Sequence, residues 1–140
     1  MMRCGEKGGC AVKKKRLMPI ITAVTLVLEL LPYGAVMNFA NPEGEPFRRT
    51  FSYFSLIPFG YASFAPLITG LMTVALLVLS AVYYFKCNKK LLKAIKIGAF
   101  ITLAFSASPV FMGVRYLSVV GVLITVCLFL LCLVTFMKEE

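Results

Sequence analysis

The stretch FAPLITGLMTVALLVLSAVYYF, residues 64–85, decides the fold class because it is long, apolar and free of charged side chains. An α-helix rises about 1.5 Å per residue, and the hydrocarbon core of a bilayer is about 30 Å thick. A run of this length is therefore typical of a membrane-spanning helix. It ends in three aromatic residues and is followed by five lysines within residues 86–96, as expected where a helix leaves the membrane on its cytoplasmic side.

Three further long apolar runs occur in the rest of the chain. The composition is 60% hydrophobic and only 15% charged, whereas about a quarter of the residues in soluble domains are charged. Because backbone groups in lipid must be bonded within their own helix, the sequence predicts an all-α fold: a polytopic bundle of four antiparallel transmembrane helices. The predicted parts are a basic cytoplasmic tail (1–16), a transmembrane domain (17–137) with helices near 17–37, 64–85, 94–112 and 117–137, and a cytoplasmic C-tail (138–140).

Lysine and arginine are distributed unevenly between the two sides of this bundle. The N-terminal tail carries six, the 86–96 connection five and the C-tail one, whereas the opposite side carries three. The positive-inside rule then predicts that both termini lie in the cytoplasm. The membrane expected for the chain is the plasma membrane. The same cluster predicts contacts with anionic lipid head groups, although setting the topology alone would also explain it. The residues expected to contact head groups are Lys13, Lys14, Lys15, Arg16, Lys89 and Lys90.

A basic segment before an apolar run also describes a signal peptide, which is the alternative for the first run. Three features favour a membrane anchor over a cleaved signal. The run Leu17 to Met37 exceeds a typical signal core, Glu29 interrupts it, and no clean pair of small residues marks a cleavage site.

The first external loop contains a repeated aromatic pattern. Phe47, Phe51 and Phe54 recur at helical spacing, while Arg48 and Arg49 fall on other faces. This periodicity predicts a short amphipathic helix over residues 47–57, lying flat in the outer interface. The alternative is that the aromatic residues only anchor the outer ends of the first two spans.

Glu29 is the only acidic side chain inside any of the four runs. A charged carboxylate within a bilayer costs a few kcal/mol, so it should be neutral, paired or facing water. Pro32 predicts a kink beside it. One interpretation is a structural ion pair, with Arg115 as the preferred partner and Arg48 or Arg49 as substitutes. The other is a proton- or ion-coupling acid beside a broken helix, as in transporter sites.

The third run carries a row of small residues that predicts close helix packing. Gly98, Thr102 and Ser106 are spaced by four and share one helical face. Such a face lets a second helix approach closely, within the bundle or in a second copy of the chain.

The residues that most enzymes require are missing. The chain has no histidine and no aspartate, and no nucleotide-binding motif. Its five cysteines match no zinc spacing. Cys4, Cys10 and Cys87 are expected near the inner membrane surface, where acylation is an open alternative. We therefore expect no catalysis, no metal site, no cofactor and no nucleic-acid partner. The expected partners are the bilayer with its anionic lipids and either a second copy of the chain or a membrane protein.

Two functions follow from these observations. The leading expectation is a non-enzymatic accessory or self-associating membrane component. The alternative is a small proton- or ion-coupled transporter, or a transporter subunit, that uses Glu29.

Overall fold

A computed structural model of the protein describes residues 9–39, 42, 44–45, 47–56, 64–86, 88–108, 111, 113 and 118–137. Four long helices and one β-hairpin make up these parts of the chain. In chain order the elements are α1 (Gly9–Leu30), β1 (Ala35–Phe39), β2 (Phe47–Phe51), α2 (Ala65–Lys86), α3 (Lys89–Ser106) and α4 (Val119–Phe136). The all-α class with four helices is confirmed.

The four helices form a ring in which α1 packs on α2 and α4, and α3 packs on the same two helices. Two clusters of buried side chains mark its two ends. The first, which we call the basic-end cluster, joins the middle of α1 and α3 to the second halves of α2 and α4. The second, the hairpin-end cluster, joins the start of α4 to the hairpin. The basic-end cluster is Met18, Leu76, Tyr83, Ile95, Ala99, Leu131 and Cys132, and the hairpin-end cluster is Ala35, Tyr53, Ile124 and Leu128. Neighbouring helices are therefore antiparallel.

The predicted interfacial helix over 47–57 is wrong. Residues 47–51 form strand β2, which pairs antiparallel with β1 so that Ala35 faces Phe51 and Phe39 faces Phe47. Residue 57 lies outside the described part. The error has a physical reason: residues i and i+4 share a face in a strand as well as in a helix, so Phe47 and Phe51 fit both. The spacing of the aromatic residues does not show that residues 35–39 pair with this segment.

The first helix also ends earlier than predicted. α1 stops at Leu30, whereas the sequence predicts a helix to residue 37, and residues 35–39 become strand β1 instead. Pro32 explains the difference, since proline lacks an N–H donor and disfavours the helical conformation of the residue before it. Gly34 follows within the turn. At its other end α1 begins at Gly9, inside the predicted basic tail.

The third helix begins at Lys89, five residues before its predicted start. Asn88 caps it, because the Asn88 side chain accepts a hydrogen bond from the backbone N–H of Lys90 at 3.0 Å. The lysines of the 86–96 connection thus lie mostly on helix. α2 and α4 begin and end within two residues of the predicted bounds.

The exterior of the bundle is apolar and its interior contains hydroxyl groups. Large apolar side chains on all four helices are more than a third exposed, among them Val27, Leu71, Phe100 and Phe129. Many buried positions hold threonine or serine instead. α2 and α4 are long and apolar enough to cross a membrane. α1 and α3 include lysine clusters within their helical length.

Candidate functional site

The candidate site is centred on Glu29, in the last turn of α1. Its side chain is fully buried, with none of its surface exposed. The side chain of Thr73 on α2 approaches it, with 2.8 Å between Thr73 Oγ1 and Glu29 Oε1. Thr73 lies eight residues into α2, which places the contact about 12 Å along that helix from the hairpin end.

The second carboxyl oxygen of Glu29 has no partner among the described residues. Oε2 is buried, and no described group forms a hydrogen bond with it. A buried polar atom without a partner costs free energy and is uncommon in folded proteins, so its presence needs a physical reason. Among the described residues, the buried oxygens in the same condition are the hydroxyls of Ser80 and Ser108, and neither belongs to a group that can ionise.

The segment after β2 covers the carboxyl from the hairpin end. The backbone N–H of Tyr53 donates to the backbone carbonyl of Glu29 at 3.1 Å, and the Tyr53 side chain is only 3% exposed. Its ring fits against Gly34, where a Cβ atom would come within 2.9 Å of two ring carbons. The neighbouring Phe54 packs on Gly70 of α2 in a similar way. Gly34 and Gly70 thus leave room for the rings of Tyr53 and Phe54 in the segment that covers the carboxyl.

Hydroxyl groups from three elements meet beneath the cover. The Tyr53 hydroxyl is hydrogen-bonded to the side chain of Ser106 on α3. Ser106 Oγ lies 2.9 Å from Thr125 Oγ1 on α4. Burial is the main cause that raises the pKa of Tyr53 to about 12, and the Glu29 carboxyl adds to it when ionised. The phenol therefore keeps its hydrogen near neutral pH and can donate it. We call Glu29, Tyr53, Thr73, Ser106 and Thr125 the carboxyl chamber.

Hydrogen bonds of Ser118 connect the turn after α1 to the start of α4. Ser118 caps this helix by accepting from the backbone N–H of Gly121 at 2.8 Å. The same hydroxyl donates to the backbone carbonyl of Gly34 at 2.7 Å. Because both bonds are made by one buried side chain, the turn after α1 and the first turn of α4 are fixed together.

The predicted partner of Glu29 is not placed by the structure. Arg115 lies outside the described residues, so the Glu29–Arg115 pair stays a prediction. The substitutes Arg48 and Arg49 are exposed on strand β2. The guanidinium carbon of Arg49 lies 5.6 Å from the ring centre of Phe47, its neighbour on the same strand face.

The predicted packing face of the third run lies inside the bundle. Thr102 is fully buried and Ser106 is 4% exposed. At Gly98, a Cβ atom would lie 3.0 Å from Cδ2 of Leu76 on α2. The face is therefore used between α2, α3 and α4 of one chain.

The predicted head-group residues lie at the basic end. Lys13 and Lys14 are within α1, Arg16 is exposed, and Lys15 is half-buried. Lys89 and Lys90 are exposed at the start of α3.

Sequence reasoning missed Thr73, Tyr53 and Thr125. A signal for Thr73 was present, since Thr69, Thr73 and Ser80 share one face of an otherwise apolar helix. Tyr53 carried no comparable signal, because its position depends on the hairpin.

The chamber contains one carboxyl and hydroxyls. Among the residues that the structure describes, no three His, Cys, Asp or Glu side chains are grouped closely enough to hold a metal ion. The chemistry open to the chamber is thus proton exchange or oxygen ligation of a small cation. No family model, curated protein or solved structure matches the chain.

Proposed function

We propose that the chain is a plasma-membrane protein that crosses the bilayer four times, with both termini in the cytoplasm. The distribution of side chains supports this. Ile20 and Val27 on α1, and Ile97 and Phe100 on α3, are 54–63% exposed, although these helices also carry lysines. A soluble monomer rarely exposes large continuous apolar surfaces. The lysines of α1 and α3 lie at one end, where they can extend to the head groups.

Cysteine labelling in intact cells tests this topology. In a background without the native cysteines, a single cysteine at position 44 should react with an impermeant maleimide from outside. A cysteine at position 90 should react only after the membrane is permeabilised. Reaction of residue 90 in intact cells would contradict the topology.

Within this architecture we infer that the chain works at the carboxyl chamber, as a small proton- or ion-coupled transporter or a subunit of one. The observation that carries this proposal is the buried Oε2 of Glu29, which has no hydrogen-bond partner among the described residues. Acids within a membrane are costly, and those that are retained commonly lie on ion or proton pathways.

Flux measurements on purified protein in liposomes test the transport proposal. An imposed pH gradient should collapse faster in liposomes with the native chain than in liposomes with Glu29→Gln, as followed by a trapped pH-sensitive dye. The matched control is Thr22→Val, which removes a buried hydroxyl near the basic end and should leave the flux unchanged. Equal rates for the native chain, Glu29→Gln and empty liposomes would overturn the proposal.

A second function, that of a non-enzymatic accessory component, is favoured by a different observation. The threonines outside the chamber are bonded to their own helices: Thr22 donates to the carbonyl of Met18, and Thr102 to that of Gly98. Side chains satisfied in this way serve packing and form no polar path towards the basic end. Co-purification from native membranes tests this function. A stoichiometric partner whose binding survives Glu29→Gln would favour it over transport.

A further inference from the structure

The hydrogen bonds of Thr73 cannot be assigned in the ordinary way. Its hydroxyl oxygen lies 2.8 Å from Glu29 Oε1 and 2.9 Å from the backbone carbonyl oxygen of Thr69. A hydroxyl has one hydrogen to donate and two lone pairs that accept. If Glu29 were an ionised carboxylate, that single hydrogen would have to serve two acceptors at once.

Other threonines of the bundle show where this hydrogen belongs. Thr25 donates to Ile21, Thr69 to Ala65 and Thr102 to Gly98, in each case to the carbonyl four residues earlier at 2.7–2.9 Å. Thr73 makes the same contact with Thr69. When its hydrogen is given to the Thr69 carbonyl, its oxygen is left as an acceptor facing Glu29.

Among the described residues, the groups around Glu29 supply no charge that would keep a carboxylate ionised, and Arg115 lies outside the described part of the chain. Thr73 of α2 lies 2.8 Å from the carboxyl, and Tyr53 of the segment after β2 lies near enough to interact with it electrostatically. The Tyr53 hydroxyl is engaged by Ser106 of α3, which contacts Thr125 of α4. The described lysines of α1, α2 and α3 lie towards the basic end, and the arginines of β2 are exposed. An isolated buried charge is far costlier than a neutral acid.

We propose that Glu29 is a proton-binding site in which the carboxyl is neutral. Its O–H donates through Oε1 to Thr73 Oγ1, and the Thr73 hydroxyl donates in turn to the Thr69 carbonyl. All three oxygens in this series are then satisfied, and Oε2 remains as an uncharged carbonyl oxygen. The bound ligand is a single proton, which adds to the carboxylate. The inference deepens the transport proposal by naming the ion, and it rests on that proposal only for the role of the site in transport.

Infrared difference spectroscopy on the purified full-length protein tests the protonation state directly. The spectrum of Glu29→Gln is subtracted from that of the native chain. The difference spectrum should show the C=O stretch of a protonated carboxyl at neutral pH, and this band should shift in deuterium oxide. Thr73→Val should shift the band because it removes the acceptor, whereas Thr73→Ser should leave it in place. A carboxylate band with no protonated-carboxyl band would overturn the proposal. If Glu29→Gln does not fold, Glu29→Asp keeps the acid and should move the band instead of removing it.

Chemical labelling gives a second readout that needs no transport. Dicyclohexylcarbodiimide reacts with a protonated acid: the carboxyl oxygen bonds to the central carbon, the proton passes to nitrogen, and an acylisourea forms. Peptide mass spectrometry should find the adduct at Glu29 and not at the exposed Glu45, with sodium chloride giving no protection. Protection by sodium would overturn the proton assignment in favour of a cation. If the infrared band is present but the liposomes show no flux, only the transport proposal fails. If flux depends on Glu29 but the band is absent, only this inference fails.

Discussion

The two ends of the bundle are packed by different means. At the basic end, Leu76, Ile95 and Leu131 are buried against one another as apolar side chains of similar size. At the hairpin end, the contacts among Glu29, Tyr53, Ser106 and Thr125 are made largely by polar atoms. In lipid, apolar packing between helices gains little from the hydrophobic effect, and it relies on close fit, while buried polar groups must be matched one by one. The basic end therefore resembles a packed support, and the hairpin end carries the one ionisable group that has unmet bonding capacity among the described residues.

The largest expected effect comes from breaking the fit at the basic end. Leu76→Ala should lower the free energy of unfolding by about 2–4 kcal/mol, because it leaves a cavity where the side chain is 1% exposed. The matched control is Leu71→Ala on the same helix, which is 59% exposed and should change it by no more than about 0.5 kcal/mol. Both can be measured by denaturant titration of helicity in mixed micelles. Equal losses would mean that the exposed face of α2 is buried against something else.

A second comparison concerns the effect on stability of replacing one glycine at each end, Gly34 and Gly98, by alanine. Gly34→Ala should destabilise the protein by about 1–3 kcal/mol, because the new methyl group would meet the ring of the buried Tyr53 at 2.9 Å. Gly98→Ala meets only the flexible tip of Leu76 at 3.0 Å, and it should be near neutral or stabilise by up to about 1 kcal/mol, since alanine suits a helix interior better. The same denaturant titration measures the change in the free energy of unfolding for both variants. A harmless Gly34→Ala would show that the cover is loosely seated.

The smallest effects concern the helix caps. Ser118→Ala should cost about 1–2 kcal/mol, because it removes the α4 cap and the bond to the Gly34 carbonyl together. Asn88→Ala at the exposed start of α3 removes one cap bond and should cost about 0.5–1 kcal/mol. Thermal unfolding in detergent can compare the two variants. An Asn88→Ala loss equal to that of Ser118→Ala would argue that the tie to Gly34 contributes nothing.

The four helices could be predicted from sequence because each depends on its own residues. The apolar runs, the lysine-rich turn and the proline and glycine residues act locally, so α2 and α4 lie within two residues of their predicted bounds. Glu29 could likewise be singled out, because an acid in an apolar run is costly wherever its neighbours lie.

The hairpin and the chamber depended on contacts between distant parts of the chain. Phe47 and Phe51 fit a strand and a helix equally, and only pairing with residues 35–39 selects the strand. Thr73 is 44 positions from Glu29, and no local pattern fixes which hydroxyl meets the carboxyl. The sequence by itself thus determined that a buried acid must be neutralised in some way. Only the tertiary structure decided which described groups surround it, because side chains from separate helices meet only after the bundle has packed.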